Sequence, residues 1–373
     1  MQMGTRPDAS AKSLMKLSWP IFIELILQLL VGNMDQIQLS HFNETAVAAV
    51  GNANTIITVV LLTFNVISLA AMILVSQYRG ANDLASTNQI YTLSLLVNGL
   101  LSLFLAVVLL VFAEGLFSLM QVPQELMAEA CTYLRITAAA LPFQAIMLTF
   151  SAFLRAGAHM KVIMLITGFI NVCNIAGNAV LINGIGPLPR LGAAGAALSS
   201  SIFRVVGMVL MGWMFFRYTQ QARVGISLLR PFPKGLLRRL LEIGLPSGGE
   251  SLSYNLSQTS CLVFVNMMGT YVVTTRMYAV MFANCIYMLI SAASQAGQIV
   301  VGHLVGARDL DGANECNKRS LKLFCPITVG IAAVLWVIAT SLYGIFSSDE
   351  RVLALGAQIM AVEVFLEVGR SFN

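Results

Sequence analysis

An all-α polytopic membrane protein is the fold class predicted by three features of this chain. Of its 373 residues 57% are hydrophobic and 10% charged, whereas a soluble domain carries about 25% charged residues. The apolar residues fall in runs as long as "LLVNGLLSLFLAVVLLVFA", residues 95–113. The chain also repeats itself at an offset of 226 residues. Helices answer the first two features, because each satisfies its own backbone polar groups inside hydrocarbon. A transmembrane barrel needs alternating segments of about ten residues, and these runs do not alternate.

About 20 apolar residues cross a bilayer. On that measure ten spans are predicted, at 17–40, 54–78, 89–113, 126–154, 161–183, 192–217, 239–267, 274–303, 318–344 and 352–373. Arg6, Lys12 and Lys16 give residues 1–16 the basic look of a signal peptide. The span that follows is too long for one and holds Pro20, Glu24, Gln28 and Asp35, so it reads as a retained first helix. Residues 219–238, with Pro231 and Pro233, read as a linker. If the N-terminus lies inside and the spans alternate, sixteen Lys and Arg face the cytoplasm and three the other side. Residues 1–16 are therefore expected to be cytoplasmic, by the excess of positive charge on inner loops. The net charge of +5 serves topology in this reading and points to no nucleic acid. Six scattered cysteines, without a CxxC, read as small core residues.

The repeat sets the organisation. "LSWPIFIE" (17–24) falls on "IGLPSGGE" (243–250), so Pro20 meets Pro246 and Glu24 meets Glu250. "GANDL" (80–84) falls on "GARDL" (306–310) without a gap. In these pentapeptides the glycine is expected to end one helix, and Asp83 or Asp309 to cap the next. Six spans separate the copies, so both enter the membrane the same way up, as parallel repeats about an axis along the membrane normal. The expected domains are a six-helix lobe at 17–218, the linker, and a second lobe at 239–373 with four helices. Counterparts of spans 5 and 6 would fall past residue 373, so the chain is expected to carry about ten helices of a twelve-helix design.

The stretches "GNMDQIQLSHFNETAVAAVG" (32–51), "AMILVSQYRGAND" (71–83), "AFLRAGAHMK" (152–161), "LGAAGAALSS" (191–200), "GLPSGGESLSYN" (244–255) and "FLEVGRSFN" (365–373) carry a family likeness. In order and spacing they resemble the multidrug and toxic compound extrusion (MATE) family of secondary transporters. The resemblance implies two six-helix lobes around a central cleft that opens to either side in turn. It also implies export of amphipathic, often cationic, small molecules in exchange for protons or sodium. No other cofactor is implied. The expected setting is the plasma membrane, the inner membrane in a bacterium, with the lipid bilayer as partner and the chain acting as a monomer.

Ionisable residues inside spans are expensive and call for a function or a partner. In the first span Pro20, Glu24, Gln28, Asp35 and Gln38 fall within an arc of about 80° at 100° per residue. Such a stripe lines a lobe interior or the cleft. Asp35 matches the family's first-helix aspartate and is the leading ion-coupling candidate, able to exchange a proton or offer oxygen to sodium. It falls on Cys261 in the repeat, and this asymmetry favours function over packing. Glu24 and Glu250 are expected to bridge neighbouring helices in both lobes. Glu363, Glu367 and Arg370 share one face of the last span, with an expected Glu367–Arg370 pair. Glu367 is the second coupling candidate, because some branches of the family place such acids in the second lobe. Asn171, Asn174 and Asn178 form one stripe; Asn284, Tyr287, Ser291, Gln295 and Gln298 form another. These residues either line a wet cavity or join helices by hydrogen bonds. Arg135 and Arg204 are expected to be buried by position.

Other function classes lack their signatures. No clustered histidines, nucleophile motif or paired acids at one depth mark an enzyme, and no GxxxxGK[ST] loop marks an ATP-driven pump. The alternatives carried forward are a flippase for lipid-linked precursors from the same superfamily, and a shortened form that does not transport.

Overall fold

The computed structural model describes residues 10–40, 43–184, 189–347 and 349–372, without the side chains of Asn33, Asp35, Gln36 and Glu44. The described residues are helical and hold no β-strand. The helices are α1 (Ala11–Ser40), α2 (Glu44–Gly80), α3 (Leu84–Leu119), α4 (Gln124–Ala139), α5 (Leu141–Ala156) and α6 (Met160–Asn183). They continue as α7 (Ala193–Tyr218), α8 (Lys234–Asn266), α9 (Thr270–Gly306), α10 (Leu310–Val337), α11 (Ala339–Gly344) and α12 (Glu350–Phe372).

Among these, α1, α2, α3, α6, α7, α9, α10 and α12 are long and apolar enough to cross a membrane, eight in all among the described residues. A ninth arises if α4 and α5, bent by 48°, count as one broken span. The sequence reading gave ten. The difference is α8, where Lys234, Arg238, Arg239 and Glu242 crowd the first third and Glu250 sits among serines beyond it. The bend interrupts what reads in sequence as one span at 126–154. Pro142 near the start of α5 supplies no N–H and its ring crowds the preceding turn. Several helices overrun their apolar stretches: α1 starts at Ala11, α8 at Lys234 and α10 at Leu310.

The 226-residue offset reappears in the helix ends. Helices α2 and α9 start at 44 and 270 and end at 80 and 306; α1 and α8 end at 40 and 266. Starts at 84 and 310, and at 124 and 350, obey the same rule. After α2, Asn82 adopts a left-handed conformation (φ 58°), its N–H donates to the Arg79 carbonyl, and the Asp83 N–H donates to the Tyr78 carbonyl. After α9, Arg308 (φ 61°) and Asp309 do the same toward Val305 and Leu304. This double closure satisfies carbonyls that would otherwise be orphaned at a helix end. Gly80 and Gly306 end their helices as expected, while the left-handed position falls two residues on, to Asn82 and Arg308. The aspartates act as expected, Asp83 accepting from the Ser86 N–H at 3.0 Å and Asp309 from the Gly312 N–H at 2.8 Å.

The helices cluster into two compact units, one formed by described residues within 23–248 and the other by 10–22 together with 249–372. The two boundaries, inside α1 and inside α8, are themselves 226 residues apart. In the first unit, Phe64, Phe117, Leu134, Leu141 and Ala197 belong to one buried core spanning α2 to α5 and α7. A polar tie runs through this unit. The fully buried Asn98 amide lies 2.9 Å from the Thr149 hydroxyl, 3.1 Å from the Ser68 hydroxyl and 3.3 Å from the Phe64 carbonyl. It holds α3 to α2 and α5, and such an interhelical bond contributes about 0.6–2 kcal/mol in a membrane. Small residues bring α6 and α7 together, and a Cβ on Gly195 would lie 2.5 Å from the Leu181 carbonyl oxygen. In the second unit, Phe282, Tyr343, Val352 and Met360 join α9, α11 and α12 in a smaller core. Two cysteines depart from the expected burial: Cys261 and Cys285 are exposed.

Two outcomes follow from these contacts. Gly195→Ala forces a methyl into a backbone carbonyl that cannot swing away, and is expected to cost about 1–3 kcal/mol, read as a lower unfolding temperature in detergent. Hydrogen bonds from the Ser86 hydroxyl and backbone N–H hold the Asp83 carboxyl below the usual carboxylate range. A group with a depressed folded pKa stabilises above its unfolded value, about 3.9, and loses that contribution as pH falls through the folded value. Asp83→Ala is therefore expected to cost about 1 kcal/mol at neutral pH, with the deficit narrowing below about pH 4.

Candidate functional site

Each unit holds a buried charged cluster. In the first, Glu24 on α1 is only 4% exposed. Its Oε1 accepts from Arg155 Nη2 at 2.7 Å and from Gln28 Nε2 at 3.3 Å. Arg155 stands in the last turn of α5, where the helix dipole favours a cation. The turn that follows, with Ala158 left-handed (φ 60°), ends the helix there. This pair is the helix-bridging role expected of Glu24, and its partner lies 131 residues away. Gln28 is exposed apart from that bond. Further along α1, Gln38 Nε2 donates to the Ile175 carbonyl of α6 at 3.2 Å. The Asp35 side chain lies outside the described residues.

On α6, Asn174 is buried, and its amide is shared between the Ser199 and Ser200 hydroxyls of α7 at 3.3 Å each. Asn178 is fully buried on the same helix face. Asn171 is half-buried. The amide of Asn174 is thus engaged in joining two helices.

In the second unit, Arg370 of α12 donates from one nitrogen to both Glu363 and Glu367. The expected Glu367–Arg370 pair is present, and Glu363 joins it. Glu367 is fully buried and Glu363 8% exposed. One guanidinium thus serves two carboxylates, and Glu367 Oε2 is buried without a partner among the described residues. The Ser371 hydroxyl donates to the Glu367 carbonyl at 2.8 Å and stands 3.1 Å from the Thr328 hydroxyl of α10, which carries Pro326 half a turn away. With both carboxylates ionised the cluster carries one uncompensated negative charge. In a low-dielectric interior, a proton or a small cation relieves that charge.

The polar stripe of α9 faces outward from its unit: Asn284 and Tyr287 are exposed, while Ser291 and Gln295 are half-buried. Gln295 Nε2 reaches the Ser291 hydroxyl at 3.4 Å.

Two expectations are corrected. Glu250 is exposed and makes no ion pair among the described residues, so the bridging role of Glu24 is not repeated at the equivalent position. Arg135 is not buried: its side chain is 46% exposed and pairs at 2.9 Å with Glu114 of α3, which α4 passes closely enough for the long arginine stem to span the gap. Arg204 is half-buried. Sequence reasoning missed two partners. Arg155 reads as a loop charge, though it closes a helix just before a left-handed turn like those at 82 and 308; Asn98 is the lone amide within the apolar run 95–113.

Long apolar helices in two compact units, the first with one buried ion-paired carboxylate and the second with two, define a multi-pass α-helical membrane protein. The chain belongs to the MatE family, whose model matches residues 20–180 and 246–373. The uncharacterized transporter YisQ of Bacillus subtilis is 34% identical over 370 residues, covering 99% of this chain and 81% of that protein. The probable multidrug resistance protein NorM of Thermotoga maritima is 26% identical over 380 residues, covering 97% and 78%. In fold the chain resembles an outward-facing multidrug resistance MATE family transporter of the MOP superfamily. Their TM-score is 0.84 at 20% identity, over 97% of this chain and 80% of that one.

Breaking the buried Glu24–Arg155 pair from one side strands a charge. Glu24→Gln or Arg155→Met alone is expected to destabilise by about 3–5 kcal/mol, while Glu24→Met with Arg155→Met recovers most of the loss. Thermal unfolding of the three variants in one detergent checks this.

Proposed function

We propose that this chain is a secondary antiporter that exports amphipathic, cationic drugs or metabolites in exchange for protons or sodium. Membership of the MatE family supports drug efflux, and the NorM relatives named as multidrug resistance proteins support the substrate class. The observation that carries the coupling is the second-unit cluster, in which one arginine serves two buried carboxylates. Its uncompensated charge makes occupancy by a proton or cation part of the energetics of that interior.

Asp35 and Glu367 are the two coupling residues in this reading. Asp35 stands in the first-helix position that the family likeness marks. Glu367 supplies a buried oxygen without a hydrogen-bond partner among the described residues. The outward-facing Asn284 and Tyr287 of α9, with half-buried Gln295 on the same stripe, support a water-lined path, because a polar helix face is costly against lipid. Gln28 and Asn171 of the first unit, and Glu250 of the second, are further cavity-lining candidates, each within its own unit. The N-terminus is cytoplasmic in this account, from the placement of Lys and Arg.

The test is drug efflux from vesicles holding the full chain. Asp35→Asn and Glu367→Gln are each expected to lower ion-driven efflux at least about tenfold, the usual scale for loss of a proton-transferring group, with normal insertion and yield. Wild-type efflux in both variants contradicts the assignment.

A further inference from the structure

We infer that the segment joining α7 to α8 is a docking surface for anionic phospholipid headgroups. This inference stands apart from the transport reading and needs only that the chain is a membrane protein. Between Glu129 and Glu242 the sequence holds no acidic residue, and residues 217–239 alone hold Arg217, Arg223, Arg230, Lys234, Arg238 and Arg239. The other basic stretch, Arg308 to Lys322 at the start of α10, also holds Asp309, Asp311 and Glu315. Placement of positive charge for topology explains a basic sign, but not this absence of neutralising partners.

The segment is also built, not slack. Asn88 of α3 donates to the Gln221 carbonyl at 3.5 Å and accepts from the Arg223 N–H at 3.0 Å. Thr92 accepts from the Gly225 N–H at 3.2 Å, and Gln89 donates to the Leu228 carbonyl at 3.2 Å. A short 3-10 turn at Ile226–Leu229 then buries Leu229. Four contacts from one helix thus fix the backbone on which the cations stand. Arg238 is taken by Glu242 and Arg239 by the Tyr78 hydroxyl. Arg217, Arg223, Arg230 and Lys234 are exposed, and their side chains make no ion pair among the described residues.

Large apolar side chains stand exposed at the end of α7, Trp213 58% and Phe216 47%, and among the cations, Tyr218 49%, Ile226 70% and Phe232 47%. Cations alternating with exposed aromatic and aliphatic tips suit the zone where phosphates meet acyl chains. A soluble anion would match the charges and leave the apolar tips in water. Each juxtamembrane Lys or Arg adds to attraction for an anionic leaflet, so the occupant that fits both halves of the surface is an anionic phospholipid such as phosphatidylglycerol.

Trp213 supplies the probe. The chain has three tryptophans, and Trp19→Phe with Trp336→Phe leaves Trp213 as the reporter. In bilayers, brominated phosphatidylglycerol is expected to be preferred over brominated phosphatidylcholine by about tenfold, judged from quenching, with the preference falling as salt rises. Arg223→Gln, Arg230→Gln and Lys234→Gln together should abolish the preference, and Arg223→Lys with Arg230→Lys should keep it. Equal quenching by the two lipids overturns the inference, as does a preference that survives the glutamine variant. Displacement of the brominated lipid by inorganic phosphate would mean a soluble-anion site, and also overturns it.

Discussion

Hydrocarbon offers no hydrogen-bond partner, and that constraint shapes this molecule at every level. It selects helices, since each closes its own backbone ladder. It then governs the side chains, because a polar group within a span must find a partner in the protein or face water. Asn98 reaches α2 and α5, Asn174 reaches two serines of α7, and Glu24 takes Arg155. At helix ends the same need is met by left-handed turns at residues 82, 121, 158 and 308, each followed by an N–H that returns to the preceding helix.

Against this background the departures carry the functional information. The repeat preserves several helix ends to the residue, so a feature present in only one unit marks a place where the copies have diverged. Glu24 is buried and paired whereas Glu250 is exposed. The second unit instead has two carboxylates on one arginine near the end of α12, with no equivalent ion-paired trio in the first unit among the described residues. Helix α12 also runs straight through the place where α4 and α5 break, because Val368 stands where the first copy has Pro142.

Much of the fold was legible in sequence because its determinants are local or periodic. Apolar run length gives the spans, and the pentapeptides at 80 and 306 give the helix boundaries. The Glu367–Arg370 pair was legible because helical spacing alone brings those side chains together. Glu24–Arg155 was not, since it joins residues 131 apart through tertiary packing. Arg135 was misplaced for a related reason: its position in an apolar run indicates depth but not which way the side chain faces, and Glu114 draws it to the surface. The left-handed positions were not legible, because they lie two residues past the helix-ending glycines, at Asn82 and Arg308, neither of them glycine. The fate of Glu250 was equally closed to pattern reading, because a repeat in sequence does not guarantee a repeated partner.

The central claim is that downhill entry of an ion drives export through a fold with buried, incompletely compensated carboxylates. Its most direct test is substrate movement by the unmodified chain in vesicles, with proton and sodium gradients imposed separately and ATP absent. The account predicts uphill movement of a cationic amphipathic drug under one of the two gradients, accompanied by opposite flux of that ion. Drug movement that merely follows its own gradient, unchanged by either ion, would contradict it.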